Sequence, residues 1–169
     1  MPYRLLNEDE RLHICQFILR LIPVARDPAH PMREVARWYV KEAMWRWTAD
    51  GVEQQTGAVT INAVKYNMVH LPNSAAAVAR VGGTGLRHEH AVPRRVLAHR
   101  IIEENMGLQD IHNFLGRFCR AAIVTRDEDQ LLVPRREMPP GWNWEHPYQR
   151  YINANLHLNN LPADVHPWG

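Results

Sequence analysis

Apolar residues recur at helical spacing along much of this chain, with short β-branched runs between them. That pattern predicts a mainly helical α+β protein with a small sheet of two or three strands. Asn7 followed by Glu8, Asp9 and Glu10 reads as an N-cap with an acidic first turn, opening a helix to about Arg20 or Val24. Leu12, Cys15, Phe17, Ile18, Leu19 and Ile22 give it a broad face expected to be buried. Pro28 and Pro31 break the pattern. A second helix is expected over about 32–49, where Val35, Trp38, Tyr39, Ala43, Trp45 and Trp47 make an unusually aromatic surface, and Asp50-Gly51 closes it.

The next stretch is less decided. Residues 58–61 read as a strand, and 64–70 fit either state. Asn73-Ser74 caps a short Ala-rich helix to about Val81, which the run Gly82-Gly83-Thr84-Gly85 ends. That run lacks the Gly-Lys-Ser/Thr ending of a phosphate loop and reads as a connector. A strand over 86–91, helices over about 93–105 and 108–117, and a strand over 119–125 follow. Thr125 caps a short helix over 126–132. Pro134, Pro139, Pro140 and Trp142-Asn143-Trp144 describe an ordered loop, and the tail from Tyr148 adds a helical turn or two.

At 169 residues the chain fits one compact unit, divisible into a helical, aromatic-rich part (1–71) and the remainder (72–169). A hydrophobic content of 46% suffices for a core without disulfides. Cys15 and Cys119 have no CxxC spacing, which excludes a zinc knuckle and suits a reducing, cytoplasmic setting. No run is long enough to span a membrane, and the polar start is not read as a signal peptide. The net charge of +2 is mild, but only Lys41 and Lys65 among the 20 cations are lysines. Arginine is the better bidentate phosphate ligand, although a G+C-rich coding sequence gives the same bias.

The chemistry concentrates in Arg87-His88-Glu89-His90-Ala91-Val92-Pro93-Arg94-Arg95. Histidine takes a proton near neutral pH, a neighbouring carboxylate can hold a hard cation, and the proline starts a helix. The Glu-His-x-x-Pro turn resembles the signature of HNH-type (ββα-metal) nucleases. The resemblance covers about 86–132 and implies a ββα-metal-like C-terminal half. It implies His90 as general base, with Glu89 as a metal ligand beside it. It also implies one further ligand for Mg²⁺ or Mn²⁺ from Asp127, Glu128 or Asp129. The family's middle Asn has no counterpart near Thr125, and two helices intervene where the family has a loop.

Each group also has a plainer reading. Glu89-His90 serves equally as a structural pair, and Glu128 as the acid of a Thr-x-x-Glu capping box. In a regular strand Glu89 and His90 point to opposite faces, and His88 points away from Glu89. His99 and His112 read as helix residues. Arg87, Arg94, Arg95 and Arg100, with Arg80, form the densest positive region, suited to a phosphate backbone or to a solvated helix face. Trp38, Trp45, Trp47, Trp142, Trp144 and Trp168 suit base stacking or, more commonly, core packing. Two functions compete: a metal-dependent endonuclease acting on DNA or RNA, of the kind found in phages, mobile elements or bacterial defence, and a non-catalytic binding protein. The second would meet a protein partner through its Trp-bearing helices, or nucleic acid through a decayed nuclease site.

Overall fold

The chain folds as a mixed α+β unit; the computed structural model describes residues 3–80 and 84–163. The expected helix end at Val81 and the Gly82-Gly83 pair lie outside the described residues, as does Trp168. Helix α1 (Glu8–Arg26) begins at a reciprocal capping box. The Glu10 N–H donates to Asn7 Oδ1 (2.9 Å) and the Asn7 N–H to Glu10 Oε2 (2.7 Å). The helix carries Pro23 in its last turn and runs past the expected end.

The buried stripe of α1 is Cys15, Ile18, Ile22 and Ala25, spaced by three and four. Phe17 (45% exposed) and Leu19 fall outside it, contrary to the broad face expected, because α1 packs on its neighbours along one side only. Helix α2 (Arg33–Ala49) follows the same logic: Ala36, Val40, Met44 and Trp47 point inward, while Val35, Trp38 and Tyr39 face solvent. Two later helices, α4 (Arg94–Glu103) and α5 (Leu108–Phe118), complete this core with Leu97, Ile101, Ile102, Ile111, Leu115 and Phe118. The core therefore runs across the expected boundary at residue 71. Cys15 and Cys119 are buried free thiols within it, and desolvation raises the Cys15 pKa to about 12.

Two small sheets flank the helices. Strands β1 (Tyr3–Leu5), β2 (Gly51–Glu53) and β3 (Val59–Thr60) form one, antiparallel throughout. The other has the order β5-β6-β4-β7, from β4 (Asn73–Ser74), β5 (Leu86–His90), β6 (Ala121–Thr125) and β7 (Leu158–Asn159). Strands β5 and β6 run antiparallel in one unbroken register, Leu86 opposite Thr125 through His90 opposite Ala121. The ladder continues with the Ala91 N–H donating to the Arg120 carbonyl (2.8 Å). The expected pairing of these two strands is thus present, and α6 (Arg126–Leu131) follows β6 directly. Strand β4 joins β6 in parallel, and Ser74 also caps the four-residue helix α3 (Ala75–Val78). Helix α7 (Gln149–Asn153) covers one face of the sheet, where Tyr148 and Tyr151 pack on Ala91, Ala122 and Val124. Leu86 and Ile123 look the other way, onto Leu71 and Ala77. β5 is an edge strand, and its outer edge opens on the candidate site.

Candidate phosphate-binding cleft

Because β5 pairs regularly with β6 through His90, its side chains alternate and the Glu-His pair is split. His88 and His90 point toward α2. Both are buried, with His90 only 4% exposed. His90 Nε2 lies 3.0 Å from the Thr48 hydroxyl, and His88 Nε2 lies 3.4 Å from the Thr48 carbonyl. The Trp45 ring stands over both imidazoles, 4.8 Å from His88 and 5.7 Å from His90 between centroids. Burial lowers the His88 pKa to about 4 and holds that of His90 well below the ordinary histidine value, with the neighbouring Arg94 cation acting in the same direction on both. Both rings are neutral at physiological pH.

Glu89 leaves the opposite face. Its Oε1 accepts a 2.7 Å bond from Nη2 of Arg150, which is 1% exposed. The same guanidinium donates to the carbonyls of His90 and Ala91, tying α7 to the edge of β5. Burial pushes the Glu89 pKa up; the Arg150 charge opposes that rise and Asp129 adds to it.

Of the metal ligands implied by the nuclease resemblance, Glu128 and Asp127 are engaged elsewhere, while Asp129 lies near enough to act on Glu89. Glu128 Oε2 accepts from the Thr125 N–H (2.8 Å) and the Ser74 hydroxyl (2.7 Å), so its carboxylate is the acid of a capping box and a clamp on α3. Asp127 points outward to Arg80 (3.3 Å). Of the three acids on α6, only Asp129 acts on Glu89. His90 leaves the other side of the strand, yet it lines the same edge cleft as Glu89. Among the described residues no group of three or more His, Cys, Asp or Glu side chains is placed to hold a metal ion. His90, which the resemblance implies as general base, is buried because α2 closes over it.

What does assemble is a basic cleft of about 350 Å³ along the free edge of β5. Its cations come from three places: Lys41 on α2, Arg94 and Arg95 at the start of α4, and Arg135 and Arg136 from the loop after α6. Glu89 is its one carboxylate. A neighbouring cavity of about 430 Å³ shares Lys41, Arg95 and Arg136 and adds Arg37 and His99 opposite Glu34 and Glu137. Arg94 is held in place by donating to the Lys41 carbonyl (2.9 Å). Arg135 and Arg136 are exposed, and among the described residues no carboxylate pairs with either.

Of the four arginines expected to touch nucleic acid, Arg94 and Arg95 line this cleft. Arg87 is exposed and is not part of the lining, and Arg100 is drawn to Glu104 (2.8 Å) and the Trp144 ring (4.3 Å). Lys41, Arg135 and Arg136 were missed, because only the fold brings residues so far apart together. The pair Arg135-Arg136 after a proline was the one available signal. Trp45 lines the cleft, but Lys65 and Arg94 stand over its ring at 4.9 and 5.1 Å, so its faces are already engaged. Trp47 is buried and Trp142 and Trp144 pack against the core. Trp38 (52% exposed), with Tyr39 and Phe17, forms the aromatic surface on which the protein-partner expectation rests.

Compared with known proteins, the chain matches no family model, and no curated protein or solved structure is similar to it. No helix among the described residues is long and apolar enough to cross a membrane.

Proposed function

We propose that this protein binds the phosphate backbone of nucleic acid in the cleft along the edge of β5. The observation that carries this reading is the convergence of Lys41, Arg94, Arg95, Arg135 and Arg136 on a cleft lined by one carboxylate, with Arg94 and Arg95 only loosely paired, to Glu42 at 3.9 Å and Glu137 at 4.0 Å. Closely grouped cations repel one another, and a polyanion relieves that repulsion while releasing its own counterions. Guanidinium groups suit phosphate oxygens because they donate bidentately. Such contacts bind backbone and do not select sequence. The test is fluorescence anisotropy with labelled single-stranded DNA, duplex DNA and RNA, comparing wild type with an Arg135→Ala/Arg136→Ala variant. Saturable binding that the variant weakens is expected. Equal affinity in both proteins would reject the cleft as the binding surface.

The second reading, a metal-dependent endonuclease, is favoured by one observation: β5 pairs with β6 across the intervening α4 and α5, α6 follows β6 directly, and Glu89 and His90 both line the cleft. The ion pair of Glu89 with Arg150 and the burial of His90 weigh against it. Incubating plasmid and single-stranded substrates with Mg²⁺ or Mn²⁺ separates the two. Cleavage lost in Glu89→Gln supports the enzyme, and binding without cleavage supports the first reading.

A further inference from the structure

The main-chain groups of β5 divide by the phase of its ladder. The Ala91 N–H donates to the Arg120 carbonyl and the Arg126 N–H to the Gly85 carbonyl, both at 2.8 Å. Bonded pairs alternate in an antiparallel ladder, so Arg87 and Glu89 also turn their main-chain groups to β6. Leu86, His88 and His90 turn theirs outward, to the edge that no other strand covers. The His90 carbonyl is taken there by Arg150. Among the described residues, no other residue bonds to the N–H or carbonyl of His88 or to the N–H of His90, and His88 Nδ1 has no hydrogen-bond partner. His88 and His90 both line the basic cleft, with His88 only 6% exposed. A main-chain group sheltered from water without a partner costs free energy, and a ligand that supplies the missing donor or acceptor recovers it.

We infer that the cleft takes a single strand of nucleic acid, one unpaired base laying its Watson–Crick edge on the main chain of His88 and His90 while the surrounding cations hold phosphates. This rests on the phosphate-binding reading above and names the form of nucleic acid to which it applies. The match is chemical. Along a strand edge, the carbonyl of one residue and the N–H of the residue two further on face the same way, an acceptor beside a donor. Every base carries a donor next to an acceptor on its Watson–Crick edge, and in a duplex that edge is already occupied. The contact therefore favours unpaired strands and tolerates any sequence. The cleft, about 350 Å³, holds roughly a dozen water-sized groups at about 30 Å³ each, enough for one base and too few for a base pair. An extended peptide also pairs with a strand edge. Lys41, Arg94, Arg95, Arg135 and Arg136 favour the nucleic acid, whose backbone carries a charge at every unit where a peptide backbone carries none.

Fluorescence anisotropy at fixed salt tests this with four labelled probes: a single strand, the same sequence as a duplex, the same strand with abasic sites throughout, and an oligoglutamate peptide. The abasic strand keeps the phosphates and removes the bases. Wild type should bind the single strand about tenfold more tightly than the abasic strand, the loss of two main-chain hydrogen bonds, and more tightly than the duplex. The amide NMR signals of His88 and His90 should move downfield with the single strand and stay in place with the abasic one. Arg135→Ala/Arg136→Ala should weaken all three nucleic-acid probes alike. Equal affinity for the three, lowered in that variant, would overturn this inference and leave the phosphate-binding reading standing. So would His88 and His90 amide signals that the single strand does not move. Oligoglutamate binding more tightly than the single strand, with the same amide shifts, would overturn it in favour of a peptide at the edge. Binding of no nucleic-acid probe would overturn both readings.

Discussion

On one face of β5, His88 and His90 lie neutral beneath α2, each with Nε2 against Thr48 and both covered by Trp45. On the other, one residue away, Glu89 is held by an almost fully buried Arg150 and opens on the basic cleft. In a sequence these three residues read as one site. A strand of period two turns Glu89 away from the two imidazoles, although all three line the cleft at the strand's free edge, and their partners give them different protonation behaviour: burial without an opposing charge keeps the imidazoles neutral, while Arg150 gives the carboxylate a partner. Neighbours on a regularly paired strand can therefore share a cleft at its edge without sharing a protonation state.

The largest expected effect breaks the charged side. Glu89→Ala leaves Arg150 buried with only carbonyl partners, and removal of one member of a buried ion pair costs about 3 to 5 kcal/mol. Urea unfolding measures this; a loss below about 1 kcal/mol would mean that Glu89 is hydrated and its bond to Arg150 contributes little.

Acid breaks the neutral side. Both imidazoles have a folded-state pKa below the unfolded value, so their contribution to stability is fully present above about pH 6.5 and is lost as pH falls toward the folded value, about 4 for His88. Lowering the pH from about 7.5 to about 5 should cost about 2 kcal/mol for each imidazole, at 1.36 kcal/mol per unit. A flat profile across that window would show the two rings open to water. Smaller still is Thr48→Val, which keeps the shape and removes the hydroxyl from His90 Nε2. It should cost about 1 to 3 kcal/mol, and an unchanged unfolding midpoint would show that the Met44 carbonyl, 3.5 Å from His90 Nε2, suffices as its partner.

The larger elements were legible because local physics specifies them. The Asn7 and Thr125 caps and the four long helices follow from short-range pattern, whereas the pairing of β5 with β6 is long-range and was implied by the nuclease resemblance. The short strands β1, β4 and β7 were not, since two or three residues carry no period and are set by the strand they meet. Within the site, Glu89, Arg94 and Arg95 could be picked from one stretch of chain. Lys41, Arg135, Arg136 and Arg150 could not, because long-range packing brings them there. Glu128 shows the reverse case: its capping role was written in Thr125-x-x-Glu, and the fold uses it in that way.

The central claim is that the edge of β5 is a phosphate-binding cleft, and the salt dependence of nucleic-acid binding tests it most directly. Each duplex phosphate contact contributes about 0.9 to the slope of log affinity against log salt. Plotting that slope for wild type, Arg94→Ala and the Arg135→Ala/Arg136→Ala variant, with Arg100→Ala as a control outside the cleft, should show a shallower line for the first two variants. The control should match wild type. Parallel lines for all four proteins, or a change confined to Arg100→Ala, would contradict the account.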